Sequence, residues 1–247
     1  LNRNDKLLIE KINEKMKVFI SEYDSNEGAS THLYSMKIVA GEGEVETYFA
    51  LRTIDVQKID GVNRVCLNNK PIFLHGVLDQ GYYPDGIFLP ADPEEYERDI
   101  LRMKELGFHM LRKHIKVEPE CFYYYCDKYG MAVFQDMVNN GDYSFFRDTV
   151  IPTARIQKLS DKRMHKDTKA RERFLRSMEQ TVAQLGNHPC ILYWTVFNEG
   201  WGQFDSDNVY KKLRDIDNTR IIDTTSGWFR QECSDVESIH VYFGPWN

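Results

Sequence analysis

The chain has 247 residues, of which 42% are hydrophobic and 13% aromatic, enough to build the core of one large domain or two smaller ones. Its net charge of −6 comes from acidic and basic residues mixed along the sequence, so neither nucleic acid nor an anionic membrane is an expected partner. No stretch reaches the roughly 18 apolar residues of a membrane span. The five cysteines include no Cys-x-x-Cys pair and indicate neither a disulfide framework nor a zinc site.

The first 58 residues have the pattern of short β-strands. Strands are predicted over 15–23, 32–40 and 44–56, with a hairpin turn at Gly41-Glu42-Gly43. Residues 7–16 have an alternative interpretation as a short helix. A complete β-sandwich needs about 100 residues, so this region is predicted to be an abbreviated or truncated domain.

From residue 72 onward, strands and helices alternate, which predicts a parallel sheet. The strands are predicted over 72–77, 109–114, 131–137, 190–197, 220–225 and 238–243, and the helices over 93–106, 119–128, 168–185 and 205–217. The long segment 138–167 is expected to be a functional or mobile loop. A closed (β/α)₈ barrel has eight strands and about 250 residues of its own, so about six strands predict an incomplete α/β barrel in a fragment of a longer protein.

The fourth predicted strand carries the strongest functional signal. Residues 190–197 are apolar or aromatic except for Thr195, and they end at Asn198 and Glu199. Such a run is typical of a strand buried on both faces, and barrels keep their chemistry where these strands end. A single glutamate after a strand is more often a solvated residue. Asn198 before it and Trp201 after it favour a ligand site, since a tryptophan can stack on a sugar ring.

The sequence Val-Phe-Asn-Glu-Gly-Trp-Gly at 196–202 resembles the acid/base motif of glycoside hydrolase family 2, which includes β-galactosidases, β-glucuronidases and β-mannosidases. Residues 73–77, 99–112 and 122–137 resemble the first strands and helices of that family's barrel. The similarity covers roughly residues 45–247. It implies a (β/α)₈ TIM barrel over 59–247, preceded by part of an immunoglobulin-like β-sandwich over 1–58, whose last strand resembles residues 44–52.

The resemblance implies a retaining exo-β-glycosidase that acts on an oligosaccharide or glycoside. Glu199 matches the acid/base residue, and Asn198 matches the residue that bonds the sugar's 2-hydroxyl. The retaining route also needs a nucleophilic carboxylate about 5–5.5 Å away. In the family this is a glutamate at the end of strand seven, which is expected beyond Asn247, so the fragment alone is expected to be inactive. Trp194 and Trp201 are expected to desolvate the acid.

Further site residues follow from the same resemblance. Arg112 matches an arginine that keeps the nucleophile ionised, and Tyr242 matches a tyrosine that touches it. His114 resembles a sugar-contacting histidine, but it lies one residue closer to Arg112 than in many β-galactosidases, so a structural role is equally open. Asp136 can bind a sugar hydroxyl or pair with Arg112. His240 shares a strand face with Tyr242 and is either a substrate contact or a core residue.

The sequence indicates the type of reaction more clearly than the identity of the sugar. Many β-galactosidases have Asn-Arg-His after the first strand, where this chain has Leu78-Asp79-Gln80. Asp79 can bind a sugar hydroxyl, and Trp228 can either stack on the leaving-group sugar or pack in the core. We expect a β-galactosidase, with a β-glucuronidase or β-mannosidase as the alternative and a non-catalytic carbohydrate-binding barrel as the rival from another class.

Neither a metal nor another cofactor is expected. The magnesium ligands of some β-galactosidases have no match in residues 139–142. The chain begins at Leu1 without a signal-peptide pattern, which says little about the compartment and leaves it open between the bacterial cytoplasm and the periplasm. Open edges beside the first and sixth strands make a homo-oligomer a possible assembly.

Overall fold

The N-terminal region forms short antiparallel strands. The computed structural model describes residues 7–12, 15–20, 33–40, 43–139, 141, 144–151 and 159–241. The first seven strands are β1 (Leu7–Ile12) with β2 (Lys15–Ile20), β3 (Tyr34–Ala40) with β4 (Gly43–Phe49), and β5 (Ile54–Ile59) with β6 (Val62–Leu67) and β7 (Lys70–Pro71). The helix considered for residues 7–16 is wrong, because β2 supplies a partner strand and so short a helix is marginal by itself.

The strand predicted over 44–56 is two strands, interrupted between Phe49 and Ile54. Arg52 explains the break, since its side chain donates to the Pro189 carbonyl at 2.9 Å and to the Ile191 carbonyl at 2.6 Å. The antiparallel pair of β5 and β6 runs across residues 58 and 59, where the sequence places the change of domain. The division at this point and the immunoglobulin-like character of the first part stay predictions.

The remaining strands form one parallel sheet, as the alternation of strands and helices predicts. In order across the sheet they are β12 (Ile221–Asp223), β11 (Ile191–Thr195), β10 (Ala132–Asp136), β9 (Met110–Lys113) and β8 (Gly76–Asp79). Strands that follow one another along the chain are neighbours in the sheet, and every pair is parallel. This is the arrangement of part of a (β/α)₈ barrel. The prediction of an incomplete barrel is confirmed, with five strands in the described residues where about six were expected.

The two ends of the sheet differ from their predicted positions. The first strand of the parallel sheet begins at Gly76. Ile72 and Leu74, before it, pack in a second cluster that contains residues of the β5–β6 pair as well as Phe134 and Tyr193 of the sheet. Residues 238–241 of the predicted sixth strand form no strand, and 242–243 lie outside the described residues. Asp235 bonds the edge of β12 instead, donating its backbone N–H to the Ile222 carbonyl at 3.0 Å and accepting the Ile222 N–H at 2.7 Å.

Four α-helices of the described residues connect the strands, close to their predicted bounds: α1 (Glu94–Glu105), α2 (Glu120–Tyr129), α3 (Thr168–Leu185) and α4 (Ser206–Ile216). Asp167 caps α3 by accepting the backbone N–H groups of Lys169 and Ala170, and Gly130 ends α2 with a left-handed φ of 69°. The long loop contains a π-helix at Phe145–Val150. None of the described helices is long and apolar enough to cross a membrane.

The hydrophobic core lies between the sheet and these helices. Ile100, Phe122, Met178 and Leu213, one from each helix, belong to a single buried cluster with Trp194 of β11. Trp194 therefore faces the helices, and its indole donates to Asp217 at 2.8 Å. The expectation that Trp194 helps to desolvate Glu199 is wrong, because its side chain packs in the cluster with the helices and its indole is bonded to Asp217.

On the face of the sheet opposite the helices, aromatic side chains lie below the polar residues at the strand ends. Phe134 of β10 stacks on Tyr193 of β11, with ring centroids 4.1 Å apart and an interplanar angle of 5°. The register places Arg112 of β9 opposite Phe134. Asp136 is two residues beyond Phe134 and shares its face. The two charged residues are thus brought together above a layer of aromatic rings.

Asp217 makes the stability of the protein dependent on acid pH. Burial raises its pKa, but Arg220 at 2.7 Å and the donors Thr219 and Trp194 outweigh burial and lower the pKa to about 2. A carboxyl group with a depressed folded pKa contributes stability above its unfolded pKa of about 3.9. That contribution, up to about 2 kcal/mol, should be lost as the pH falls from about 4 through 2.

The test is urea unfolding between pH 7 and pH 2. Asp217→Asn should lower the free energy of unfolding at pH 7 and leave a smaller difference from wild type at pH 2. Asp215→Asn, at an exposed position of α4 two residues before Asp217, is the matched control and should have little effect at either pH. An equal loss for Asp217→Asn at both pH values would contradict the pKa argument.

Candidate active site

Arg112 is the centre of a polar cluster at the carboxyl end of the sheet. Its Nε donates to Asp136 Oδ1 at 3.0 Å and its Nη2 to Asp136 Oδ2 at 3.2 Å, a two-pronged ion pair with a carboxylate that is fully buried. Nη2 is also 2.8 Å from Asn198 Oδ1 and 3.1 Å from Ser226 Oγ. One guanidinium thus connects the ends of four neighbouring strands, as expected for chemistry built on parallel strands.

Glu199 lies on a 3₁₀ turn, Asn198–Gly200, which begins three residues after β11 ends at Thr195. Its backbone has a φ of 50° and a ψ of 31°, the left-handed region that a non-glycine residue seldom adopts. The side chain is 16% exposed, and its Oε1 is 2.7 Å from His240 Nδ1. Gly200 permits this turn, because a Cβ there would lie 3.0 Å from Trp228 Cβ. A partly buried carboxyl group on a strained backbone is a feature of functional sites.

Asn198 is held in one orientation by partners on both sides. Its Oδ1 accepts from Arg112, and its Nδ2 lies 3.1 Å from His114 Nε2. Burial lowers the pKa of His114, and the guanidinium of Arg112 acts in the same direction. A neutral imidazole can accept the amide N–H of Asn198. Within the described part of the chain the second N–H of that amide makes no hydrogen bond, so it can donate to a bound molecule.

Burial and the ion pair with Arg112 shift the pKa of Asp136 in opposite directions. Burial raises the pKa of the Asp136 carboxyl, while Arg112, which donates to both oxygens, lowers it. Of the two roles open to Asp136, the geometry corresponds to pairing with Arg112. The pair fixes Arg112 and reduces its net charge at the site.

Not every residue predicted for the site reaches this cluster. Asp79 is in register with Lys113 and bonds its ammonium at 3.0 Å, on the sheet face that carries the helices. Trp201 is 37% exposed on the loop after Glu199. Trp228 lies near the cluster, with its ring centroid 6.4 Å from that of His240. Tyr242 lies outside the described residues.

Two residues of the cluster were missed by the sequence analysis. Asp223 ends β12 and is buried, and its Oδ1 accepts the backbone N–H of Ser226 at 3.0 Å. Its Oδ2 accepts the Tyr193 hydroxyl at 2.9 Å. The signal was present, because a carboxylate follows the apolar residues of the fifth strand as Asp136 follows those of the third. Ser226 is recognisable only from the structure, where it lies between Arg112 and His240.

A metal centre is not apparent in this cluster. Among the described residues, no group of three or more His, Cys, Asp or Glu side chains could hold a metal ion. The expectation that no metal is required remains a prediction.

A parallel sheet with polar residues gathered at the carboxyl ends of its strands defines an α/β-barrel domain with a candidate active site. Residues 58–244 match the model of glycosyl hydrolases family 2, TIM barrel domain, and the chain belongs to this family of glycosidases. The resemblance seen in the sequence is therefore confirmed.

Relatives with curated names are similar over a small part of their length. The chain is 27% identical over 212 residues to a β-galactosidase of Pectobacterium atrosepticum, covering 83% of this chain and 18% of that protein. It is 26% identical over 218 residues to β-galactosidase 2 of Enterobacter cloacae, covering 86% and 19%. The chain thus spans about a fifth of the length of these relatives.

Solved structures share the fold at lower identity. A β-D-glucuronidase of Dictyoglomus thermophilum superposes with a TM-score of 0.63 at 18% identity, covering 89% of this chain and 43% of that one. A family 2 β-galacturonidase of Eisenbergiella tayi bound to galacturonate gives a TM-score of 0.60 at 18% identity, covering 85% and 36%. These likenesses show the fold.

Proposed function

We propose that the intact protein is a retaining β-glycosidase that removes a terminal β-linked sugar, with Glu199 as its general acid/base. The observation that carries the proposal is the position of Glu199 on a strained turn at the end of β11, beside the cluster that Arg112 organises. In the first step Glu199 protonates the glycosidic oxygen as the bond to the sugar breaks. In the second step it takes a proton from the attacking water.

Asn198 is proposed to hold the sugar next to this acid. Its oxygen is taken by Arg112 and one N–H faces His114, so the remaining N–H can donate to a sugar hydroxyl. Hydrogen bonds to the 2-hydroxyl strengthen as the transition state forms, which would make Asn198 part of the catalytic machinery. Trp201, which is 37% exposed two residues after Glu199, and Trp228, whose Cβ would lie 3.0 Å from a Cβ at Gly200, are proposed to stack on the leaving-group sugar.

The nucleophile of the retaining route is proposed to lie outside the described residues. Asp136 is bound by Arg112, and Asp223 accepts from Tyr193 and Ser226. Both carboxylates are buried and engaged in these contacts. Neither is therefore a good candidate for attack on the anomeric carbon.

A neutral sugar suits this cluster better than a uronic acid, and we favour a β-galactoside. Arg112 is the cation that the described contacts bring to the cluster, and Asp136 already offsets its charge. A sugar carboxylate would need a second cation there to compensate for its desolvation. The curated relatives are β-galactosidases, which agrees with a neutral substrate, whereas the structural neighbours include uronidases.

A panel of nitrophenyl glycosides tests the substrate. The intact protein should hydrolyse the β-galactoside with a kcat/KM at least about tenfold above that for the β-glucuronide and β-mannoside, a difference of about 1.4 kcal/mol in transition-state binding. Preference for the glucuronide would assign the alternative activity. Binding of sugars without hydrolysis of any substrate would support the non-catalytic rival. The possible homo-oligomer remains a separate prediction.

A further inference from the structure

His240 lies between Glu199 and the Arg112 cluster. One ring nitrogen, Nδ1, is 2.7 Å from Glu199 Oε1. The other, Nε2, is 2.8 Å from Ser226 Oγ and 3.4 Å from Arg112 Nη1. The histidine side chain is 15% exposed, similar to the 16% of its glutamate partner. A single imidazole therefore connects the proposed acid to the cationic centre of the site.

The partners of Nε2 determine which nitrogen carries the proton. A guanidinium can only donate hydrogen bonds, so Arg112 faces Nε2 as a donor. Arg112 also donates through Nη2 to Ser226 Oγ at 3.1 Å, which leaves the hydroxyl proton of Ser226 to point at Nε2. With two donors directed at it, Nε2 accepts. The proton of the neutral ring is then on Nδ1 and is donated to Glu199 Oε1.

We propose that His240 is a positioning residue for the general acid, which holds Glu199 Oε1 through Nδ1–H and directs Oε2 to the leaving group. This inference rests on the proposed role of Glu199. It gives His240 a role through another side chain, distinct from contact with the sugar. Arg112 and Ser226 contribute by fixing the tautomer of the ring.

The turn that carries Glu199 does not by itself fix the position of the carboxyl group, so a residue that holds this group is needed. The left-handed backbone of Glu199 sets where its side chain starts, but three rotatable bonds still separate the backbone from the carboxyl group. The bond from Nδ1 fixes the plane of the carboxyl group at its far end. A group held in the reactive geometry loses less entropy on reaching the transition state.

The protons balance without any transfer from the histidine. In the first step the Oε2–H bond of Glu199 breaks and its proton goes to the glycosidic oxygen, while the bond from that oxygen to the anomeric carbon breaks and the nucleophilic carboxylate bonds to that carbon. The carboxylate that forms is stabilised by the hydrogen bond to Oε1. In the second step water gives a proton to Oε2 as its oxygen bonds to the anomeric carbon and the bond from that carbon to the nucleophilic carboxylate breaks. His240 keeps its Nδ1 proton throughout.

The charged and titratable groups around the pair come from several elements. Arg112 of β9 faces the ring directly, and His114 and Asp136 lie behind Arg112 and Asn198. Asp223 of β12 lies on the far side of Ser226. Arg230 and Glu237 pair with each other near the surface, on the segment that leads to His240. Changing His240 alone leaves all of these groups in place.

Two isosteric replacements test the inference in the intact protein. His240→Asn keeps an N–H donor near the position of Nδ1, whereas His240→Leu has a similar shape and no donor. For a substrate with a poor leaving group, His240→Leu should lower kcat about 10- to 100-fold, with KM changed less than about threefold. The alkaline limb of its pH–rate profile should move to higher pH, because a hydrogen bond that favours the carboxylate is lost. His240→Asn should restore both.

The competing results are distinct. A large rise in KM with an unchanged pH profile would mean that His240 binds the sugar, and equal kinetics for the Asn and Leu variants would overturn the positioning role. If His240→Leu does not fold, His240→Gln replaces it, since its longer amide reaches toward Ser226 and should behave as the donorless variant does. Failure of the acid/base assignment is recognised separately, by Glu199→Gln having no dependence on the leaving group.

Discussion

Replacing Glu199 with glutamine should lower kcat about 10²- to 10⁴-fold for glycosides with poor leaving groups such as sugars or alkyl alcohols. Glutamine keeps the size of the side chain and can still contact His240, but it has no acidic proton to give to the glycosidic oxygen. For an aryl glycoside with an activated leaving group, the glycosylation step should change much less, because such a group leaves without protonation. The measurement is pre-steady-state release of the aglycone.

The control for Glu199→Gln has to be made at an exposed residue. A change such as Gln203→Glu is unsuitable, because Gln203 is fully buried and its amide donates to Asp161. Glu237→Gln is the better control, because it makes the same chemical change on an exposed residue. It should leave both substrates within about twofold of wild type. Equal losses in glycosylation for the two kinds of substrate with Glu199→Gln would exclude Glu199 as the acid.

Replacing Arg112 with methionine should destabilise the protein by about 3–5 kcal/mol. The change leaves the Asp136 carboxylate without its counter-ion in a place where the side chain has no exposed surface. It also removes donors to Asn198 and Ser226. Because burial already raises the pKa of Asp136, the unpaired group can escape part of this cost by taking a proton. The loss should therefore be larger at pH 8 than at pH 5.

The double variant Arg112→Met with Asp136→Leu tests how much of the lost stability comes from leaving the Asp136 carboxylate without its counter-ion. It should regain much of the lost stability, since an apolar pair replaces a buried ion pair at little cost. Arg98→Met is the control, because Arg98 pairs with Glu95 at the surface and its side chain is 47% exposed. It should cost less than about 1 kcal/mol in urea unfolding. A similar loss in the free energy of unfolding for Arg98→Met and Arg112→Met would contradict the claim that Arg112 compensates the buried charge of Asp136.

The positions of Arg112, Asp136, Asn198 and Glu199 could be predicted from sequence because they follow a simple rule. Each ends or follows a strand with a clear apolar pattern, and parallel strands bring such ends to one edge of a sheet. The rule depends on the register of each strand. A shift of one residue moves a side chain to the opposite face.

Asp79 illustrates that dependence. The sequence indicates a strand that ends at residue 77, whereas the strand runs from Gly76 to Asp79 and pairs Asp79 with Lys113. Arg112 and Lys113 are adjacent and point to opposite faces, so Asp79 faces the helices and not the site. No local pattern reveals this register.

Contacts between residues far apart in the sequence could not be predicted from local sequence patterns either. Arg52 interrupts a predicted strand because it bonds carbonyls 137 and 139 residues away. The bond between His240 and Glu199 spans 41 residues and depends on a segment that forms no regular strand. Periodicity and turn chemistry describe neighbours along the chain, and they carry no information about such pairs.

Azide rescue of Glu199→Ala is the most direct test of Glu199 as the acid/base of a retaining enzyme. Removing the side chain leaves space in which a small anion can attack the covalent glycosyl-enzyme intermediate. We predict that azide accelerates turnover of an activated aryl β-glycoside by Glu199→Ala and yields the β-glycosyl azide, identified by NMR, because attack replaces that of water on the same face. An α-glycosyl azide would instead identify Glu199 as the nucleophile, and no acceleration with no azide product would contradict the account.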